Sequence, residues 1–90
     1  MIRSFRHKGL HELFTTGRSA KVPAELVKRC TNLLAVLNAA TALTDMIGFL
    51  THRLQDTGPV RYAMSVDGPW RITFEWEPPD VHRVDLEQYH

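Results

Sequence analysis

The 90-residue sequence predicts an α+β domain in which two N-terminal helices pack on a small, mainly antiparallel β-sheet. Three observations carry that expectation. An apolar stripe at helical spacing runs through residues 26–37, a shorter one runs through residues 10–14, and the last third alternates apolar with polar residues between turn signals.

Met1 to Phe5 reads as an edge or first strand. From His7 to Thr16, Leu10, Leu13 and Phe14 fall at i, i+3 and i+4, and Gly17 follows where a helix end favours positive φ. Pro23 suits the first turn of a second helix. There Leu26, Cys30, Leu33 and Leu37, joined by Val27 and Leu34, make a continuous stripe to about Ala40. Lys21, Lys28 and Arg29 lie off that stripe, toward solvent. Between Thr41 and Pro59, Gly48, Gly58 and Pro59 interrupt any period, so the segment reads as an ordered loop with one helical turn near Thr44 to Met46.

Val60, Tyr62, Met64 and Val66 alternate with Arg61, Ala63 and Ser65. After Asp67-Gly68, a hairpin signal, Trp70, Ile72, Phe74 and Trp76 alternate with Arg71, Thr73 and Glu75. Pro78-Pro79-Asp80 turns the chain into Val81 to Leu86. A three-stranded antiparallel meander is the result.

Length and a 43% hydrophobic content suffice for one domain, residues 1–90, around one core. No run approaches the roughly 18–20 apolar residues of a membrane span, and Arg3, Arg6 and Lys8 precede no apolar stretch, so a soluble, cytoplasmic protein is expected. The single cysteine, Cys30, sits on the helical stripe and reads as a buried thiol. His7, His11, His52, His82 and His90 are scattered. The i, i+4 pair His7 and His11 has no third ligand beside it, and no metal site is expected. The net charge of +1 conceals a polarity: residues 1–61 hold nine Lys/Arg against four Asp/Glu, residues 62–90 two against six. A basic half attracts phosphate; ordinary solvated surface is the competing reading.

Alternation sends Trp70, Ile72, Phe74 and Trp76 inward and brings Arg71 and Thr73 out with Arg61, Ser65, Arg83 and Asp85. Three guanidinium forks on one face suit an RNA backbone. Cross-strand pairing of Arg71 and Arg83 with Glu75, Asp85 or Glu87 is the alternative. Tyr89 and His90 follow the last strand and bring a phenol and an imidazole to the end of the sheet.

Met1-Ile2-Arg3-Ser4-Phe5, the stretch from Ser65 to Phe74 with its W-R-I-x-F strand after D-G, and the ending Val84-Asp85-Leu86-Glu87-Gln88-Tyr89-His90 together resemble the HigB branch of the RelE-like toxin superfamily over essentially the whole chain. The resemblance implies the RelE-like microbial RNase fold. It also implies a type II toxin that cuts translated messages in the ribosomal A site, by attack of a ribose 2′-hydroxyl on the adjacent phosphate, without metal or cofactor. Such attack needs a proton acceptor, a cation for the phosphate charge and a proton donor for the leaving oxygen.

Carried onto this sequence, the family's loop histidine falls on His52, its sheet arginine on Arg71, and its closing pair on Tyr89 and His90. The histidines suit proton transfer in either order, Arg71 suits the developing phosphate charge, and Tyr89 suits orienting the ribose or stacking on a base. Arg53, Arg61, Arg83, Gln55 and Gln88 are the expected RNA-binding surroundings. Gln55 stands where the family commonly has lysine and Gln88 where it has an acid, with Arg53 or Arg61 as replacement cations.

The implied partners are a HigA-like helix-turn-helix antitoxin, the 70S ribosome and mRNA, with operator DNA reached only through the antitoxin. Two other readings compete: a catalytically degenerate toxin-fold module that binds antitoxin or ribosome, and a purely structural interaction protein.

Overall fold

A computed structural model describes residues 1–54 and 60–88, and of His52, Arg53 and Leu54 the backbone alone. Two helices, α1 (Lys8–Thr16) and α2 (Val27–Ala39), precede four strands: β1 (Leu50–Leu54), β2 (Arg61–Asp67), β3 (Trp70–Glu77) and β4 (Asp80–Gln88). The strands pair antiparallel in the order β1-β2-β3-β4.

Helix α1 is short and closed at both ends by side chain and backbone. His7 Nδ1 accepts the Leu10 N–H at 3.0 Å, taking up a donor that the first turn leaves free. Gly17, at φ +82°, donates its N–H to the Leu13 carbonyl at 2.9 Å. The second helical run starts one residue beyond Pro23 as a 3₁₀ turn, Ala24–Leu26, and continues as α2.

Leu10 and Leu13 of α1 and Cys30, Leu33, Leu34 and Leu37 of α2 close over Met64, Ile72, Phe74, Trp76, Val81, Val84 and Leu86. Phe74 is fully buried at the centre, a placement that contributes roughly 2–3 kcal/mol. Trp76 is buried with it and Trp70 is half-buried against the same cluster, as the alternation of β3 predicts.

The segment expected as a loop holds more structure than its sequence announces. Two 3₁₀ turns, Leu43–Asp45 and Ile47–Phe49, lead into β1, which adds a fourth strand beside β2. Asp45 stabilises the first turn by accepting the Thr41 and Ala42 N–H groups, which hold its carboxyl below the usual range. Strand β1 escapes a pattern reading because a bulge divides its five residues. Leu50 pairs with Met64 on the core side, and His52 pairs with Ala63, so Leu50 and His52 fall in rows on opposite faces despite their i, i+2 spacing.

The first hairpin also turns one residue later than the Asp67-Gly68 signal suggests. Asp67 pairs with Trp70, and Gly68, at φ +54°, takes the first of two central positions ahead of Pro69. A further bulge in β4 places Arg83 at φ +51° and lets both Val81 and Val84 enter the core.

The expected N-terminal strand is two isolated parallel bridges along β4, Ile2 with Val81 and Phe5 with Val84. Arg3 and Arg6 donate backbone N–H groups to the Val81 and Val84 carbonyls, and Ser4 Oγ accepts the Arg83 N–H at 2.9 Å. The outer edge of β4 is thereby covered.

Candidate active site on the outer sheet face

Directly paired residues share a face, so the register reads out the surface opposite the helices as three rows. Ser65, Arg71 and Glu87 form the first. His52, Ala63, Thr73 and Asp85 form the second, which crosses all four strands. Leu54, Arg61, Glu75 and His82 form the third.

The three arginines expected on this face are all there, in different electrostatic states. Arg83 Nε sits 3.2 Å from Glu75 Oε2. Arg61 reaches from the third row to the first: its Nη2 lies 3.5 Å from Thr73 Oγ1 and 3.4 Å from Glu87 Oε2. Thr73 donates its hydroxyl proton to the same carboxylate oxygen. That bridging explains why Thr73 is fully buried on the face away from the core.

Arg71 differs from both. Its register partner across β4 is Glu87, yet among the described residues it has no carboxylate partner. Its Nη1 donates to the Gly68 and Trp70 carbonyls at 2.6 and 2.9 Å, which clamps the guanidinium against the hairpin. Its Nε is buried without an acceptor. The alternative of cross-strand pairing thus holds for Arg83 and fails for Arg71. A positioned, uncompensated guanidinium is suited to binding an anion.

The whole of residues 3–90 matches the model of the RelE-like toxin of type II toxin–antitoxin system HigB. The chain belongs to the HigB-like toxin family. It is 34% identical over 96 aligned positions to endoribonuclease HigB of Proteus vulgaris, an alignment that covers both chains completely.

In this HigB-like toxin the register places His52 on the second row, opposite Ala63 and in line with Thr73. Arg53 falls opposite Tyr62, whose ring stacks at 6.1 Å on Phe74 in the core-side row. Gln88 is exposed and pairs in register with Trp70, one position off the row of Arg71. Gln55, Tyr89 and His90 lie outside the described residues.

The helical period of α2 predicts only a solvent-facing Arg29. In the fold its Nη2 reaches the carbonyl of Ser65, the register partner of Arg71 on β2, at 3.4 Å. Nothing in the helical period of α2 signals that contact, because it depends on how α2 crosses the sheet.

The remaining histidines have structural partners: His7 caps α1, His11 stacks on Phe5 at 5.0 Å, and His82 Nε2 lies 3.7 Å from Glu77. Among the described residues no three His, Cys, Asp or Glu side chains gather as a metal site. Cys30 is enclosed, and burial pushes its thiol up to about 11, so it remains protonated near neutrality. No described helix is long and apolar enough to cross a membrane.

Proposed function

We propose that this HigB-like toxin is an endoribonuclease that cuts mRNA in the A site of translating ribosomes. The observation that carries the reading is Arg71, a guanidinium fixed by two hairpin carbonyls on the outer face with no carboxylate among the described residues to neutralise it. The full-length likeness to endoribonuclease HigB supports the same chemistry.

In the proposed reaction a phosphate oxygen of the message lies on Arg71, which stabilises the negative charge that gathers as the ribose 2′-oxygen closes on phosphorus. The O2′–P bond forms, the P–O5′ bond breaks, and the products are a 2′,3′-cyclic phosphate and a 5′-hydroxyl. His52 and His90 exchange the two protons, and Tyr89 orients the ribose or stacks on a base. Arg61, Arg83 and Gln55 line the path of the RNA in this reading, whereas Arg53 and Gln88 fall in the alternate rows by register and stand outside that path. A HigA-like antitoxin is the proposed partner that silences the toxin and carries the complex to operator DNA.

The test is message cleavage in a translating extract, mapped by primer extension, for wild type, Arg71→Ala and His90→Ala. Ribosome-dependent cuts that vanish in both variants support the proposal. A folded wild type that binds ribosomes or antitoxin without cutting overturns it in favour of a degenerate binding module, the reading that Gln55 and Gln88 keep in play.

A further inference from the structure

The carboxylate of Glu87 is held in an unusual way for a surface ion pair. One oxygen, Oε2, receives both the Thr73 hydroxyl and the Arg61 guanidinium, while no described group engages Oε1. The side chain is about one-third exposed, at 31%, so the unengaged oxygen belongs to a group that solvent or a ligand reaches.

Its place in the sheet makes that oxygen consequential. Glu87 is the register partner of Arg71 across β3 and β4, and side chains directly opposite in an antiparallel pair have Cβ atoms about 5 Å apart. Gln88, at the position where the family commonly carries an acid, pairs in register with Trp70 and falls in the alternate row. The first row of the outer face therefore presents a cation and a carboxylate side by side.

An RNA strand offers that pair a matched set of groups: an anionic phosphate for Arg71, and the neighbouring ribose 2′-hydroxyl as hydrogen-bond donor for a carboxylate. The 2′-hydroxyl is the group by which a protein distinguishes RNA from DNA at a given site. A carboxylate repels the phosphate backbone unless cations offset it, and here Arg61 holds the far oxygen while Arg71 stands opposite.

Resting on the reading of the face as an RNA site, we propose that Glu87 Oε1 accepts a hydrogen bond from the ribose 2′-hydroxyl next to the phosphate on Arg71. Glu87 is thus the ribose-recognising residue of the site, and Thr73 and Arg61 are the positioning residues that aim its free oxygen. DNA offers no donor at that point and pays the repulsion without the hydrogen bond.

The experiment pairs the protein group with the RNA group. Ribosomes are programmed with mRNA carrying all riboses, or a single 2′-deoxy nucleotide at each A-site position in turn, which also prevents cutting at that position. Binding of wild type, Glu87→Ala, the volume-keeping Glu87→Leu and Arg71→Ala is then measured.

Wild type is expected to lose about tenfold in affinity at one deoxy position, the scale of a hydrogen bond to a charged group. Both Glu87 variants are expected to bind the two messages equally. Arg71→Ala is expected to weaken both messages while keeping their ratio. A ribose preference of unchanged size in the Glu87 variants, with cutting still lost in Arg71→Ala, overturns the assignment of Glu87 alone. A wild type that neither binds programmed ribosomes nor cuts messages overturns the RNA site with it.

Discussion

Arg71 and Glu87 stand opposite each other in the register of β3 and β4, yet Glu87 directs its carboxylate to Arg61 and Thr73, and among the described residues Arg71 has no acidic partner. The hairpin carbonyls of Gly68 and Trp70 fix the Arg71 guanidinium in place. Replacing Arg71 by alanine is expected to lower cleavage roughly 10²–10³-fold, the usual cost of one transition-state donor. Arg71→Lys keeps the charge and loses the planar fork, so it should recover only part of that activity. Primer extension on a translated message measures both, and lysine activity equal to wild type would show that charge alone suffices.

Gly9, the second residue of α1, is required by contact rather than by its own dihedral angles. A Cβ there meets His7 Cε1 at 2.7 Å and Lys21 Cβ at 2.8 Å. Gly9→Ala should gain up to about 1 kcal/mol of helix propensity and lose more, because it pushes the His7 ring from its cap and crowds the residue 21 backbone. The net expectation is destabilisation of roughly 1–2 kcal/mol, read from urea midpoints. A midpoint at or above that of wild type would contradict the crowding.

Cys30 yields a pH prediction with a definite sign. Burial raises its thiol from 9.0 to about 11, so between those values the folded protein keeps a proton that the unfolded chain releases. This contribution to stability is complete below about pH 9 and falls as pH rises toward 11. Stability measured against pH for wild type and Cys30→Ala should show the steeper alkaline decline in wild type. The native thiol should also resist a disulfide reagent at pH 8 until denaturant is added.

The two ends of the chain should tolerate tags unequally. The Met1 amine lies 3.8 Å from Asp80, and Arg3 makes a 3.2 Å contact with the same carboxylate, each an exposed cation on a half-buried acid. Surface pairs with one solvent-exposed member contribute about 0–1 kcal/mol, so an N-terminal tag should leave cleavage within a few-fold of wild type. A tag fused after His90 extends from the proposed catalytic pair and should lower cleavage much further. Equal activity of the two fusions would count against Tyr89 and His90.

The main elements were legible because their signals are local. The stripe through Leu26, Cys30, Leu33 and Leu37 marks one helix face whatever lies beside it, and the alternation from Trp70 to Trp76 separates core from surface in the same way. The outer placement of Arg61, Arg71 and Arg83 followed from that alternation. Strand β1 leaves no such signal, because its bulge sets Leu50 against Met64 and His52 against Ala63 and no two-residue period survives across it.

The α+β class, the two helices, the three-strand meander and the residue types on its polar face all follow from the order of residues along the chain. Which arginine stays uncompensated among the described residues depends instead on the folded arrangement. Arg71, Glu87, Thr73 and Arg61 come together from three strands, and the choice of partner depends on register, bulges and side-chain reach. Periodicity is set by each residue's near neighbours in the chain, whereas an ion pair is set by distance in space, which the chain acquires only when its strands align.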